Sequence, residues 1–335
     1  MADSSVGEAP SAPSGTLHLV APELRPGLDI LPTHEFTPEL LAYLRSGAAM
    51  DAAMTPPPLS PEQQAVRCEE RFAPGLSGAP DVRMLVYTPP GAATGRAAYL
   101  HIHGGGYFVG APEMSDGSNR SLAAELGCSV VAVAYRLAPE TAFPGALEDC
   151  YAALLWLHRE AEALGVDRSR IAIGGESAGG GHAAALAIYA RDRGEAPICF
   201  QLLDSPMLDD RTGSTADPHP YSGEFVWPPA NNRFGWRSLL GMEPGGAGTP
   251  AGAAAARVED LSGLPPTFIV VGAIDLFMEE DLEYARRLSR AGVPTELHVI
   301  PGAYHGFCVA VPGAPQAQTT LRLRREALAR AFRPA

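Results

Sequence analysis

The sequence predicts an α/β fold, a mostly parallel eight-stranded sheet flanked by helices with a helical cap, and three observations carry that expectation. From Val66 onward, short β-branched or apolar runs alternate with longer helical stretches. One strand-to-helix junction reads Gly175-Glu176-Ser177-Ala178-Gly179. One interval of more than 60 residues, between Leu203 and Thr267, breaks the alternation and is too long for a simple loop.

The elements follow in chain order. Residues 1–33 are Pro-rich and read as extended chain. Helical spacing of Phe36, Leu40, Tyr43 and Leu44 predicts a first helix over 36–47, with Gly47 as its stop, and the Pro-rich stretch 55–61 closes that lobe. Strands are expected at 66–72, 82–88, 98–102, 130–134, 170–173, 198–203, 267–271 and 296–300. Helices are expected at 118–126, 144–164, 178–191, 279–291 and 316–332. The long interval holds Tyr221, Phe225, Trp227, Phe234 and Trp236 within 16 residues, against 7% aromatic overall, which predicts a partly helical insertion over the site. The alternative is that these rings only pack the insertion onto the core. The domain plan is therefore an N-terminal part of the cap (1–60), a first core segment (61–205), a cap insertion (206–255) and a second core segment (256–335).

Composition narrows the chemistry. With 46% apolar and 19% charged residues over 335 positions, the chain can bury a large core. Cys68, Cys128, Cys150, Cys199 and Cys308 form no C-x-x-C pair, which argues against a disulfide framework, a zinc site or redox work. No basic stretch precedes an apolar run at the start, and no apolar run reaches membrane-spanning length; the expectation is a cytoplasmic protein without a membrane span. A net charge of −13 opposes nucleic acid and anionic membranes. All 25 basic residues are Arg. Schiff bases, pyridoxal anchoring, Ser-Lys dyads and the P-loop amine are thereby excluded, leaving Ser, Thr, Cys, Asp and Glu as nucleophiles.

G-x-S-x-G between a strand and a helix exposes a Ser on a strained turn, with glycines that let strand and helix meet closely. A Gly-rich loop that merely contains Ser is the alternative. His103-Gly104-Gly105-Gly106, directly after a strand and before Tyr107-Phe108, leaves backbone N–H groups free to face an oxyanion. A flexible surface turn is the alternative there. Ser177 needs an imidazole to take its proton and a carboxylate to hold that imidazole. Of nine His residues, His305 lies in a loop just beyond the last strand, and Asp275 lies just past the strand at 267–271. Glu279, Glu280 and Asp281 read instead as solvated residues of a helix's first turn. The chain order Ser177, Asp275, His305 matches a Ser-hydrolase sheet. His182, five after Ser177, reads as a packed or hydrogen-bonded helix residue.

Together these segments resemble the hormone-sensitive-lipase-like (family IV) esterases of the α/β-hydrolase fold. The resemblance runs from about Val82 to Phe307. It rests on His103-Gly104-Gly105-Gly106-Tyr107, Tyr135-Arg136-Leu137-Ala138-Pro139-Glu140, Phe143-Pro144 with Glu148-Asp149, the Ser177 elbow with Gly179-Gly180, Leu264-Pro265-Pro266-Thr267, and Tyr304-His305-Gly306-Phe307. It implies a triad of Ser177, Asp275 and His305, and an oxyanion hole from Gly104, Gly105, Gly106 and Ala178. It implies substrate contacts at Tyr107, Phe108, Glu176 and Trp227, and hydrolysis of short-chain or aryl esters through an acyl-enzyme without a cofactor or metal. The partner is then a small-molecule ester, with a homodimer possible. Two departures stand out: Glu176 occupies a position usually held by Asp or Thr, and Asp275 is followed by Leu276-Phe277 rather than Pro-Leu. Competing readings are a non-catalytic small-molecule-binding module on the same scaffold and a lactone or amide hydrolase. A third is a nucleotide-dependent oxidoreductase, since Gly179-Gly180-Gly181-His182-Ala183-Ala184 fits G-x-G-x-x-A, although inside a helix rather than at a strand end.

Overall fold

A computed structural model describes residues 15–46, 58–91, 94–214 and 218–333. Its eight strands are β1 (Arg67–Ala73), β2 (Val82–Thr88), β3 (Arg96–Ile102), β4 (Ser129–Val133), β5 (Val166–Glu176), β6 (Phe200–Asp204), β7 (Thr267–Gly272) and β8 (Thr295–Ile300). They form one sheet in the order β1-β2-β4-β3-β5-β6-β7-β8. Only the pairs β1/β2 and β2/β4 are antiparallel; every pair from β4/β3 to β7/β8 is parallel. Parallel strands require helical crossovers, and helices on both faces explain why β3, β4, β6 and β7 are buried along their whole length.

Seven helices of eight or more residues lie among the described residues: α1 (Pro38–Arg45), α2 (Asp116–Leu126), α3 (Gly145–Glu160), α4 (Ala178–Arg193), α5 (Pro229–Leu240), α6 (Met278–Arg290) and α7 (Pro315–Ala331). Alternate residues of each strand feed opposite faces. Leu100, Ile102, Ile173 and Ile269 meet α3, α4 and α6 on one side. Tyr99, Ala172, Leu202 and Val270 meet α2 and α7 on the other. A third apolar cluster, above the strands' C-terminal ends, joins Leu41, Phe108, Met207, Trp227, Trp236 and Phe277.

Most element ends lie within three residues of the expectation, although α3 ends at Glu160 rather than at 164. The exceptions have local causes. β5 starts at Val166 because Val166 pairs with Arg96 before a register irregularity, a feature that leaves no apolar signature. The expected extended start is instead three short turns within 15–33, at Leu17–Leu19, Pro22–Leu24 and Gly27–Ile30. Pro22 sits at the first helical position of one of them, where its missing N–H costs nothing. Thr37 caps α1 by accepting from the Leu40 N–H; the expected stop at Gly47 and the start of the 55–61 stretch lie outside the described residues. The long interval contains α5, as the aromatic density suggested. The N-terminal segment and this insertion are tied together: Val226 N–H donates to Thr33 Oγ1 (2.8 Å), Phe36 N–H to Asn231 Oδ1 (3.0 Å), and Asn231 Nδ2 to the His34 carbonyl (2.7 Å).

Candidate active site

Ser177 stands between β5 and α4 with φ 56° and ψ −122°, a left-handed backbone that a non-glycine residue holds only where its surroundings enforce it. Those surroundings are specific. Its N–H donates to the Asp204 carbonyl (2.9 Å), and its own carbonyl accepts from Gly181 N–H and Met207 N–H (both 3.0 Å). A side chain at Gly179 would collide with the carbonyls of Ile102 and His103, so the glycine there serves close packing of α4 on β3. That accounts for the Gly179–Ala184 run: it lies inside a buried helix and presents no phosphate-binding turn.

The sheet edge brings the three predicted side chains together. His305 Nε2 is 2.9 Å from Ser177 Oγ, and His305 Nδ1 is 2.8 Å from Asp275 Oδ2. Asp275 Oδ1 accepts from Phe277 N–H (3.1 Å), which fixes the carboxylate plane. Two backbone bonds lace the Asp275 and His305 loops: Ala273 N–H to the Ile300 carbonyl (2.9 Å) and Ile274 N–H to the Ala303 carbonyl (3.1 Å). With Nδ1–H donated to the carboxylate, Nε2 is left to accept the Ser177 hydroxyl proton. Burial opposes a charged His305, yet the Asp275 carboxylate, by charge and hydrogen bond, and the Asp204 charge together hold its pKa above the ordinary imidazole value.

The glycine run passes directly over the elbow. A Cβ on Gly104 would sit 2.9 Å from the Glu176 carbonyl oxygen and 3.4 Å from Ser177 Cβ. Gly105 (φ 121°), Gly106 (φ 60°) and Tyr107 (φ 74°) turn the chain through left-handed space, closed by Val109 N–H to the Gly105 carbonyl (2.9 Å). Ala178 is the first residue of α4, whose N–H has no intrahelical acceptor. Buried His103 is pulled down to about 4 and so stays neutral; its Nδ1 bonds the Gly104 carbonyl (2.8 Å), and Tyr135 OH donates to the His103 carbonyl (2.9 Å). His182 is packed, as expected, with its ring 4.7 Å from Tyr107 and 4.9 Å from Tyr135. Burial depresses it to about 3, and its Nε2 has no partner among the described residues.

Of the expected substrate contacts, Trp227 lies beside the His305 ring, and Phe108 is fully buried in the aromatic cluster next to it. Trp227 is 6.1 Å from the His305 ring, and Phe108 packs on Phe36 (4.9 Å), Phe234 (5.0 Å) and Trp227 (6.2 Å). Tyr107 and Glu176 depart from that role. The Tyr107 hydroxyl donates to the Met207 carbonyl (2.9 Å), with its ring buried between His182 and Trp236, so it supports the loop from beneath. The Glu176 carboxylate is committed to His101 Nε2 (2.8 Å) and to Arg324. The first turn of α6 also corrects the sequence reading. Glu279 is exposed, but Glu280 and Asp281 are buried. Glu280 Oε1 accepts from Leu208 N–H (2.7 Å), whereas neither Asp281 oxygen has a partner among the described residues; burial drives both carboxyls well above the usual carboxylate range. Their i+5 and i+6 spacing from Asp275 gave no sign that α6 turns them inward. Among the described residues no group of His, Cys, Asp and Glu is placed to hold a metal, and no helix is long and apolar enough to cross a membrane.

The sequence family described as alpha/beta hydrolase fold matches residues 99–309, a span that contains the glycine run, the elbow, Asp275 and His305. The chain belongs to the α/β-hydrolase family, in its hormone-sensitive-lipase-like branch. Among curated relatives of this esterase branch, it is 35% identical to a carboxylesterase, NlhH, of Mycobacterium tuberculosis over 78% of this chain and 82% of that protein. An arylesterase of Saccharolobus solfataricus is 31% identical over 68% of this chain and 73% of that protein. Among solved structures, a bacterial heroin esterase superposes with TM-score 0.86 at 40% identity, covering 95% of this chain and all of that one. The Glu176 side chain leads to residues that no sequence motif marked: His101, Arg324 and, through Arg324, Asp204.

Proposed function

We propose that this carboxylic ester hydrolase cleaves short-chain or aryl esters through an acyl-enzyme on Ser177. The observation that carries the reading is the continuous relay from Ser177 Oγ to His305 Nε2 (2.9 Å) and from His305 Nδ1 to Asp275 (2.8 Å), set at the elbow under the glycine run. Ser177 Oγ attacks the ester carbonyl while its proton passes to His305 Nε2; Asp275 stabilises the resulting imidazolium. Backbone N–H groups of Gly104 to Gly106 and of Ala178 receive the oxyanion. Collapse expels the alcohol, which takes the proton from His305. A water then attacks the acyl-enzyme by the same route, with His305 as base, and releases the acid. The apolar wall of Phe36, Phe108, Trp227 and Phe234, contributed by the N-terminal segment and the insertion, favours a compact acyl or aryl group over a long chain, and those two segments act as the cap.

The test pairs labelling with a substrate series. An organophosphonate should modify Ser177 and no other Ser, and Ser177→Ala should lose nearly all hydrolysis of acetyl, butyryl and aryl esters with its fold retained. A Ser177→Ala variant keeping a tenth of wild-type turnover would overturn the assignment, and rates that climb with acyl length would overturn the compact-substrate reading.

A further inference from the structure

A second constellation grips the elbow from the α2 and α7 face of the sheet. Arg324, on α7, sends Nη1 to Asp204 Oδ2 (2.8 Å) and Nη2 to Glu176 Oε1. The other Glu176 oxygen takes His101 Nε2 (2.8 Å), and His101 Nδ1 lies 3.2 Å from Asn119 Nδ2 on α2. The two carboxylates that share the guanidinium are not arbitrary. Glu176 precedes Ser177 in the chain, and the Asp204 carbonyl is the acceptor for the Ser177 N–H (2.9 Å). One planar cation therefore ties the residue before the nucleophile to the residue that holds the nucleophile's own amide.

We infer that Arg324 is a positioning residue for the esterase reaction, a two-ended strut that fixes the spacing of Glu176 and Asp204 and with it the strained Ser177 backbone. Three physical points support it. The strained conformation persists only if its neighbours over-determine it, and the strut acts on both of its flanks. Two carboxylates held this close require a cation between them, and Arg324, with only 19% of its side chain exposed, is that cation. Burial alone would raise the Glu176 carboxyl, but the interactions with His101 and with the Arg324 guanidinium hold it well below the usual range, so it is an anion and binds the guanidinium as one. Only Arg can bridge two separate carboxylates through a rigid fork; the ammonium of Lys is a single point charge.

The inference rests on Ser177 being the nucleophile, so the experiment measures kcat and KM per phosphonate-titrated Ser177, together with the thermal midpoint, in wild type, Arg324→Gln, Arg324→Lys and Arg325→Gln. Arg325 is the neighbouring control, paired at the surface with Glu125. Arg324→Gln should lower kcat per titrated site by about tenfold to a hundredfold with KM within about twofold, because misplacement of the attacking group affects the chemical step rather than substrate uptake. Arg324→Lys, which keeps the charge and loses the fork, should recover only a minor part of that loss, and Arg325→Gln should match wild type. If Arg324→Gln yields no titratable Ser177, Arg324→Lys alone carries the test. Undiminished turnover per titrated site in Arg324→Gln, or full recovery in Arg324→Lys, would overturn the strut. A wild type that is neither labelled at Ser177 nor active removes the functional reading and this inference with it. An active, labelled wild type beside an undiminished Arg324→Gln removes this inference alone.

Discussion

Adding one methyl group to the glycine run separates a catalytic loop from a structural turn, and the structure ranks the positions. At Gly105 the backbone has φ 121°, and a Cβ would fall on the Val109 carbonyl oxygen, inside van der Waals contact. That oxygen belongs to the main chain of the same turn, which Val109 N–H closes onto the Gly105 carbonyl (2.9 Å), so the loop itself must shift. Left-handed strain of about 1–2 kcal/mol and overpacking of about 1–3 kcal/mol give Gly105→Ala a cost of roughly 2–5 kcal/mol, a fall in Tm of several degrees. At Gly106, φ is 60°, and the added methyl meets the Trp227 ring and lies 2.8 Å from Phe108 Cε1. Those neighbours are ring edges rather than main chain, so they give more readily than the Val109 carbonyl, and Gly106→Ala should cost about 1–2 kcal/mol of stability and displace Trp227 from its place over His305. On the proposed mechanism both substitutions move an oxyanion donor, each worth on the order of 10²–10³ in turnover. The assay is kcat per titrated Ser177 on an acetyl aryl ester, with a melting curve for each variant. Gly105→Ala should lose turnover and stability together, whereas Gly106→Ala should lose turnover with the smaller fall in Tm and raise KM. Full turnover in both, with Tm lowered in Gly105→Ala, would refute the reasoning and put the donors elsewhere.

The remaining expectations are separate. Because the net effect of Asp275 and Asp204 keeps the His305 proton bound above the ordinary pKa of about 6.5, and only neutral His305 accepts the Ser177 proton, the acid limb of kcat/KM should lie above that pH. Asp275→Asn should lower kcat by about 10⁴ through the wrong tautomer and move the limb to lower pH; an unmoved limb counts against the pairing. Burial raises the Asp281 carboxyl well above the range in which the unfolded chain ionises, so the folded state binds the extra proton and the contribution of Asp281 to stability falls as pH rises, by at most about 1.4 kcal/mol per unit. Urea melts should therefore show Asp281→Asn gaining on wild type between pH 4 and pH 7, and an equal difference at both values would contradict the burial argument. Arg45, on α1, donates through Nε (2.8 Å) and Nη2 (2.6 Å) to the Phe108 carbonyl and also reaches the Ala138 carbonyl. Arg45→Ala should lower kcat more than it alters KM, measured on the same ester, if α1 steadies the glycine run from the cap side.

What the sequence made legible is what local sterics dictate. The elbow needs glycine where α4 crosses the carbonyls of Ile102 and His103, and no other residue satisfies that, so the pattern survives in five letters. Asp275 and His305 were legible because each stands just past a strand whose apolar run is itself readable, and parallel strands deliver their C-terminal ends to one edge. Tyr107, expected as a substrate contact, is buried with its hydroxyl on the Met207 carbonyl (2.9 Å), a packing arrangement that no local pattern encodes. Glu280 and Asp281 were misread because an acidic first turn is the ordinary signature of a solvated helix start. Arg324 was missed although helical spacing with Ala317, Thr320, Ala327 and Leu328 puts it on the buried face of α7; what the sequence lacks is any mark of the carboxylates it meets there.

The absence of Lys, read from sequence only as an exclusion of amine chemistry, has a constructive counterpart in three dimensions. Arg45 joins α1 to the Phe108 carbonyl and to Glu140 (2.6 Å). Arg257 grips both oxygens of buried Asp210, and Arg287 gathers the carbonyls of Ala256, Val258 and Glu259. Arg324 spans Glu176 and Asp204 beneath the nucleophile. Each contact uses two or more donors of one rigid plane, which fixes direction as well as charge. On the proposed mechanism Arg324 and Arg45 brace the elbow and the glycine run from their two sides, where a displacement of about 1 Å would reach the rate.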